Sequence, residues 1–231
     1  DVYPDVQIRS LKTPVIKEIK EKFLSSNLNR KLYSNELRDI ESLSTFMGGF
    51  QNFSLLKGQQ TDLYKCVLGN SFQLVNNLGK IGLVHPESIY EDSKGAPLRK
   101  EVYKRLRYHF QFQNQLFLFT EVGHRKTFSI NVYGEISKLG FYSINNLFHP
   151  KSIDPSFIHS GEGRCGGIKI KENDNYIWNL KAHKDRIIKY SENELKLLPI
   201  SLGKSDDWES TELVVTQSSS AFKVFNRIGN Y

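Results

Sequence analysis

Sulfur and proline are scarce in this chain of 231 residues, which has two cysteines, one methionine and seven prolines, no two of the prolines adjacent. Cys66 and Cys165 lie far apart and form no Cys-x-x-Cys pair, which excludes a disulfide framework and points to reduced thiols in the cytoplasm. His85, His109, His124, His149, His159 and His183 scatter without ligand spacing, so no zinc site is expected and no metal is assigned. No apolar run approaches the roughly eighteen residues of a membrane span. Asp1-Val2-Tyr3-Pro4-Asp5 has neither the basic start nor the apolar core of a signal segment, so no membrane partner is expected. A start without methionine suits a segment of something longer, or equally a removed tag.

What is present is ordinary for a globular chain: 39% hydrophobic, 12% aromatic and 25% charged residues, enough to build a core without staples. Thirty-two basic against twenty-five acidic residues leave a formal charge of +7, which favours an anionic partner such as nucleic acid. The surplus is concentrated. Lys94, Arg99, Lys100, Lys104, Arg105 and Arg107 are opposed locally only by Glu101. The stretch reads either as a phosphate-contacting stripe or as a solvated helix face, and Arg99, Lys100, Lys104, Arg105 and Arg107 are its DNA-contact candidates.

Periodicity orders the first half of the chain. Thr13 can cap a helix with Pro14 at its first position and Val15, Ile16, Ile19 and Phe23 on one face. A second helix is expected from Ser34, with Leu37, Ile40 and Leu43. After a loop from Met47 to Phe53, Thr61 is placed to cap a third helix carrying Tyr64, Val67, Leu68, Phe72 and Val75. Lys80 to Pro86 is a short apolar run with the character of a strand buried on both faces. Leu98, Val102 and Leu106 mark another helix. Tyr108, Phe110 and Phe112 then alternate with His109, Gln111 and Gln113, and Thr127 to Tyr133 alternates likewise, so the period has changed from helix to strand. Helix, strand, helix, strand, strand is half of an α/β sheet domain. From Gly134 turn residues become frequent, which places a boundary there. Ser191-Glu192-Asn193-Glu194 is a capping box opening a helix toward Leu198, and Gln217 to Tyr231 is weakly patterned.

Two patterns imitate active sites. Gly161, Gly163 and Gly166 spell Gly-x-Gly-x-x-Gly, but Asp154-Pro155-Ser156 precedes and strand-like Ile168-Lys169-Ile170-Lys171 follows, so a surface turn is expected instead of a dinucleotide loop. Asp5, Glu18 and Lys20 have an order allowed in metal-dependent nucleases, yet Glu18 and Lys20 sit in a helical repeat beside Glu21 and Lys22, the pattern of a charged solvent face. No Gly-x-Ser-x-Gly elbow and no phosphate-binding Gly-x-x-x-x-Gly-Lys-Ser/Thr loop occurs.

The run from Phe50 through Thr61-Asp62-Leu63-Tyr64-Lys65-Cys66 resembles the large N6-adenine DNA methyltransferases of bacterial restriction-modification and DISARM-type phage-defence systems. The resemblance continues through Gly82-Leu83-Val84-His85-Pro86-Glu87, Leu106 to Asn114, Phe128 to Gly134, Asn146-Leu147-Phe148-His149-Pro150 and Gly167-Ile168-Lys169. It implies a fold: the C-terminal half of a class I S-adenosylmethionine-dependent methyltransferase sheet, followed by a mixed α+β region. Residues 1–60 would then be a helical insertion, 61–134 the second half of the methyltransferase domain, and 135–231 the start of a specificity region. It also implies site residues. Asp62 and Tyr64 match the helix opening on the cofactor side of the cleft, Phe119 matches the aromatic that stacks on the flipped adenine, and His124 lies in the same loop. Read without the resemblance, Phe117 and Phe119 in Leu116-Phe117-Leu118-Phe119 suit a core strand equally well.

The family's cofactor-binding glycine loop and its Asn-Pro-Pro-aromatic motif are both missing, the latter because no two prolines are adjacent. Two functional classes follow. One is a methyltransferase fragment, inactive alone, whose partners are double-stranded DNA and the missing half, in the same or a companion chain, with S-adenosylmethionine used only by the whole. The other is a non-catalytic DNA-binding or specificity module.

Overall fold

The computed structural model describes residues 11–60, 62–201 and 207–228. Helices α1 (Thr13–Phe23) and α2 (Asn27–Gly48) come first. Lys12, not Thr13, takes the cap position of α1, and Pro14 sits in the first turn, where its missing N–H goes unneeded. The second helix begins at Asn27, well before Ser34, because Leu28 and Leu32 already stand one turn apart. Neither helix buries a residue. The first buried member of the main core is Leu56, with Met47, Phe53 and Leu55 packed against that core.

Helix α3 (Leu63–Leu74) has Asp62 at its cap position, while Thr61 lies outside the described residues. There follow β1 (Ile81–Pro86), α4 (Ser88–Glu91), α5 (Ala96–Arg105), β2 (Leu106–Gln113), β3 (Thr127–Tyr133), β4 (Gly140–Leu147) and α6 (Ile153–Ile158). A small hairpin of β5 (Lys169–Glu172) and β6 (Asn175–Trp178) precedes β7 (Ile188–Ser191), α7 (Glu192–Ser201) and α8 (Ala221–Ile228). The architecture is mixed α/β. Its five-stranded sheet has the order β1-β3-β2-β4-β7, in which β2 and β4 are parallel neighbours and β3 runs antiparallel to both β1 and β2. Strands β1, β2 and β4 therefore point the same way, with β3 reversed between the first two.

Two expectations change. Lys80 to Pro86 forms an edge strand instead of one buried on both faces: among the described residues β1 pairs only with β3, and Val84 is exposed. The apolar run was readable, but its place in the order depends on pairing with residues nearly fifty positions away. The sheet also passes straight through the boundary expected at Gly134. Strands β4 and β7 extend it, and Tyr190, Leu195, Leu198 and Phe222 share one core with Leu68, Phe72, Leu98 and Val102. Helix α7 opens as its capping box requires, with the Ser191 N–H donating to the Glu194 carboxylate at 2.9 Å.

The sheet's two faces differ. Helices α3, α5, α7 and α8 cover one side, burying Leu106, Tyr133, Phe141 and Tyr190. Phe112, Ile144 and Leu147 form a smaller core on the other side, with Phe110, Phe128 and Ile153 packed against it. Full burial of one such side chain contributes about 1.5–3 kcal/mol, so the larger cluster supplies most of the stabilisation.

Arg99 belongs to this framework and cannot serve as a DNA contact. It is buried on α5 and donates from Nε to the Ser210 carbonyl at 2.6 Å and from Nη1 to the carbonyls of Ile89 at 3.1 Å and Asp92 at 2.8 Å. The expected stripe is broken at its first member because the side chain lies on the core face of the helix. Arg99→Ala is expected to lower stability by about 3 kcal/mol in urea titration, since three carbonyls lose one charged donor. Arg99→Lys should recover less than half of that, an ammonium being unable to span the three acceptors.

Candidate functional site at the carboxyl end of the sheet

Because β1, β2 and β4 share a direction, their carboxyl ends and the loops after them gather on one side, the place where open α/β sheets set their ligand sites. Toward that end the helix-covered face turns from apolar to polar. In register, Leu106 faces Tyr133, His109 faces Asn131 and Ser143, and Gln111 faces Ser129. All of these are buried.

The row is closely wired. His85 Nδ1 donates to the Pro86 carbonyl at 2.8 Å, and its Nε2 accepts from the Tyr133 hydroxyl at 2.7 Å and from Asn131 Nδ2 at 3.0 Å. Burial lowers the His85 pKa and holds the ring neutral, as these bonds require. The Tyr90 hydroxyl donates to Asn131 Oδ1 at 2.7 Å. One step along, His109 Nε2 donates to the Glu87 carboxylate, 3.2 Å from each oxygen, and Nδ1 lies 2.9 Å from Ser143 Oγ. Burial acts to raise the Glu87 pKa, but the His109 charge and hydrogen bond, with help from Ser129, outweigh it and hold the carboxyl below its usual range. None of these residues was a site candidate from the sequence. Their signal was a polar set, His109 and Gln111, alternating inside a strand whose aromatics looked like the core face.

Above this row stands the β2–β3 loop. Asn114, fully buried, ties it: Nδ2 donates to the carbonyls of Phe119 at 2.9 Å and Val122 at 2.7 Å, and Oδ1 accepts from the Phe119 N–H at 3.0 Å. Phe119 thus lies in a loop, not in a strand. It is 45% exposed, its ring meeting Phe128 edge-on at 4.9 Å. With Val84, His85, Pro86, Val122, Lys126, Thr127 and Phe128 it lines an open apolar groove of about 450 Å³ at the carboxyl end of β1. His124 is not in that groove; its ring is 6.1 Å from Phe117.

Asp62 and Tyr64 diverge. Asp62 borders a polar hollow of about 400 Å³ with Gln60, Lys65, Ser88, Glu91, Asp92 and Lys94. Tyr64 stacks on His85 at 5.3 Å and shares a 2.6 Å hydrogen bond with Ser88 Oγ, its pKa pushed up to about 12 by burial. S-adenosylmethionine does not fit these residues taken alone. The hollow offers charged and polar side chains but no aromatic ring for an adenine, and the Tyr64 ring is already stacked.

The remaining basic candidates on this segment are partly engaged. Lys100 pairs with Glu209, Lys104 with Glu101 at 2.6 Å, Arg105 lies 5.0 Å over the Phe72 ring, and Arg107 Nη2 donates to the Glu135 carbonyl at 2.5 Å. Glu18 and Lys20 are exposed on α1, and Asp5 lies outside the described residues. The glycine pattern is a turn with no helix after it. Gly161 and Gly163 have φ of +94° and +86°, and a Cβ on Gly166 would come within 2.9 Å of Asn179 Nδ2. Among the described residues no group of three ligating side chains is placed to hold a metal, and no helix is long and apolar enough to cross a membrane.

No protein-family model and no curated protein matches the chain. Among solved structures it is similar to the M protein of the type I restriction enzyme EcoKI, at 12% identity and a TM-score of 0.40. That match covers 74% of this chain and 43% of that protein, so the chain spans less than half its length.

The wired row makes stability fall on acidification in two steps. The folded-state pKa of His85 is depressed, so stability is full above the unfolded value of about 6.5 and declines below it as the unfolded histidine takes up a proton. Glu87, also depressed, contributes above its unfolded value of about 4.3, and that contribution is lost as pH falls through the lower folded value. Urea midpoints measured from pH 7.5 downward should decline through both windows, at about these values. His85→Gln should flatten the upper window and leave the lower one; an unchanged upper slope would separate His85 from the effect.

Proposed function

We propose that this chain is the second half of a DNA adenine-N6 methyltransferase domain from a restriction-modification or phage-defence system, inactive alone. The observation that carries the reading is Phe119. It stands in an open apolar groove at the carboxyl end of β1, the strand whose outer edge is unpaired among the described residues. An open edge beside a carboxyl-end groove is what half of a doubly wound sheet leaves when its other half is supplied from elsewhere. That half would bring the glycine loop and the Asn-Pro-Pro-aromatic motif, and with them S-adenosylmethionine, which supplies the transferred methyl.

This chain's part is reception of the base. An adenine must leave the duplex before its amine can be reached, and an aromatic face replaces part of the stacking it gives up. Phe119 can present that face, because Asn114 holds the backbone on both sides of it. Duplex DNA and the missing half are the partners on this reading, and the cytoplasm its compartment. A specificity module relying on the basic segment has less behind it, with Arg99 buried and Lys100 and Lys104 facing carboxylates.

The chain alone is expected to transfer no labelled methyl to DNA, whereas the chain combined with the missing half, from the same or a companion chain, should. In that assembled enzyme Phe119→Ala is expected to slow methylation of matched duplex by about tenfold or more, following the roughly 1–3 kcal/mol of a base–aromatic stack. A mismatch opposite the adenine should restore part of the rate. Transfer by the chain alone, or equal slowing on both substrates, would count against the reading.

For the basic segment, replacing Lys100, Lys104 and Arg107 with Ala should reduce the salt dependence of duplex binding by up to about one unit of slope for each phosphate no longer neutralised. An unchanged slope would assign them to their protein partners.

A further inference from the structure

The tip of the β2–β3 loop has a feature that base reception by Phe119 does not use. Every residue from Leu116 to Lys126 is exposed, yet the loop is fixed by the Asn114 side-chain bonds and by the hydrogen bond from Asn114 N–H to the Lys126 carbonyl at 3.1 Å. On its outgoing side, Phe117 has φ of +51°, a left-handed conformation that a bulky non-glycine residue adopts only under strain. The strain does not serve to bury the ring. Phe117 is 52% exposed, with Leu116 and Leu118 exposed on either side of it. Arg125 and Lys126 follow on the returning side of the loop, and neither has an acidic partner among the described ion pairs.

We propose that Phe117, flanked by Leu116 and Leu118, is a wedge that enters the base stack of duplex DNA while Arg125 and Lys126 meet the adjoining phosphates. The inference rests on the DNA reading above and adds the element that opens the duplex. A rigid apolar point beside two unpaired cations fits a stack of aromatic bases enclosed by anionic backbone. Proteins that kink duplexes insert apolar side chains between base steps in this way, and the unstacking is offset by new contacts. Rigidity matters because a floppy tip would have to be ordered during insertion. The geometry divides the work: Phe117 is exposed beside His124 and outside the groove, and Phe119 lines the groove on the side of β1.

The test uses the full chain and two fluorescent duplexes of one sequence, intact and with a central single-nucleotide gap that removes the cost of unstacking. The wild-type chain is expected to bind the gapped duplex about fivefold or more tightly than the intact one, on the scale of one base–aromatic stack. Phe117→Gly should abolish that preference while keeping the salt dependence on intact duplex. Since glycine relieves the left-handed strain, the same variant should melt higher, by about 2–4 °C for roughly 1 kcal/mol regained. Leu78→Ala, at the opposite end of β1 and 90% exposed, should leave the gap preference in place. Salt-dependent binding with equal affinity for both duplexes would overturn the wedge and leave the DNA reading standing, whereas no duplex binding would overturn both. A lower melting temperature for Phe117→Gly would make Phe117 a packing residue. Self-association of the wild-type chain that Phe117→Gly removes would make the tip a contact between copies, and either result would overturn the wedge.

Discussion

A carboxylate buried against an imidazole holds the carboxyl end of this sheet together. Glu87 directly follows β1, His109 lies in the middle of β2, and Ser143 belongs to β4, so one chain of hydrogen bonds crosses every parallel strand. It extends from Ser143 to Asn145 and from Asn145 to the Thr216 carbonyl. Such a row tolerates no slip. Moving β2 by one residue would carry His109 to the opposite face and leave the buried Glu87 without its imidazole partner, at a cost of several kcal/mol. Apolar packing explains why the sheet is stable, and the polar row explains why it has one register.

The sequence was legible where neighbours in the chain decide the structure. The helices over α1, α3, α5 and α7, and the alternation in β2 and β3, follow from local spacing and capping, and the α/β class follows from their succession. The carboxyl-end site was less legible because its parts meet only through long-range pairing. His85 and Asn131 are separated by 46 positions in the chain and joined by a 3.0 Å bond. The edge position of β1 and the continuity of the sheet beyond Gly134 were hidden for the same reason. Leu116 to Phe119 is an unbroken apolar run that would suit a core strand, but the buried Asn114 ties it into a loop, and nothing in the apolar pattern records that competition.

Charge was misleading in a particular way. Arg99 and Arg186 are both buried and spend their donors on backbone carbonyls, Arg186 on those of Lys181, Asn145 and Asn146. Each fastens a distant segment to the sheet by satisfying acceptors that no strand or helix reaches. They count in the +7 but offer nothing to a polyanion. A surplus of basic residues thus measures two things at once, the field outside the protein and the number of struts inside it.

The Asn114 side chain bonds only to backbone atoms, the N–H and carbonyl of Phe119 and the carbonyl of Val122. Every amino acid except proline carries that N–H, and every one carries those carbonyls, so the clasp does not depend on which side chains the loop displays. Residues between the clasped points are free to vary in size and polarity while the backbone path stays the same. The loop is therefore built like an interchangeable bit in a fixed chuck: the displayed side chains can be exchanged without rebuilding the mount.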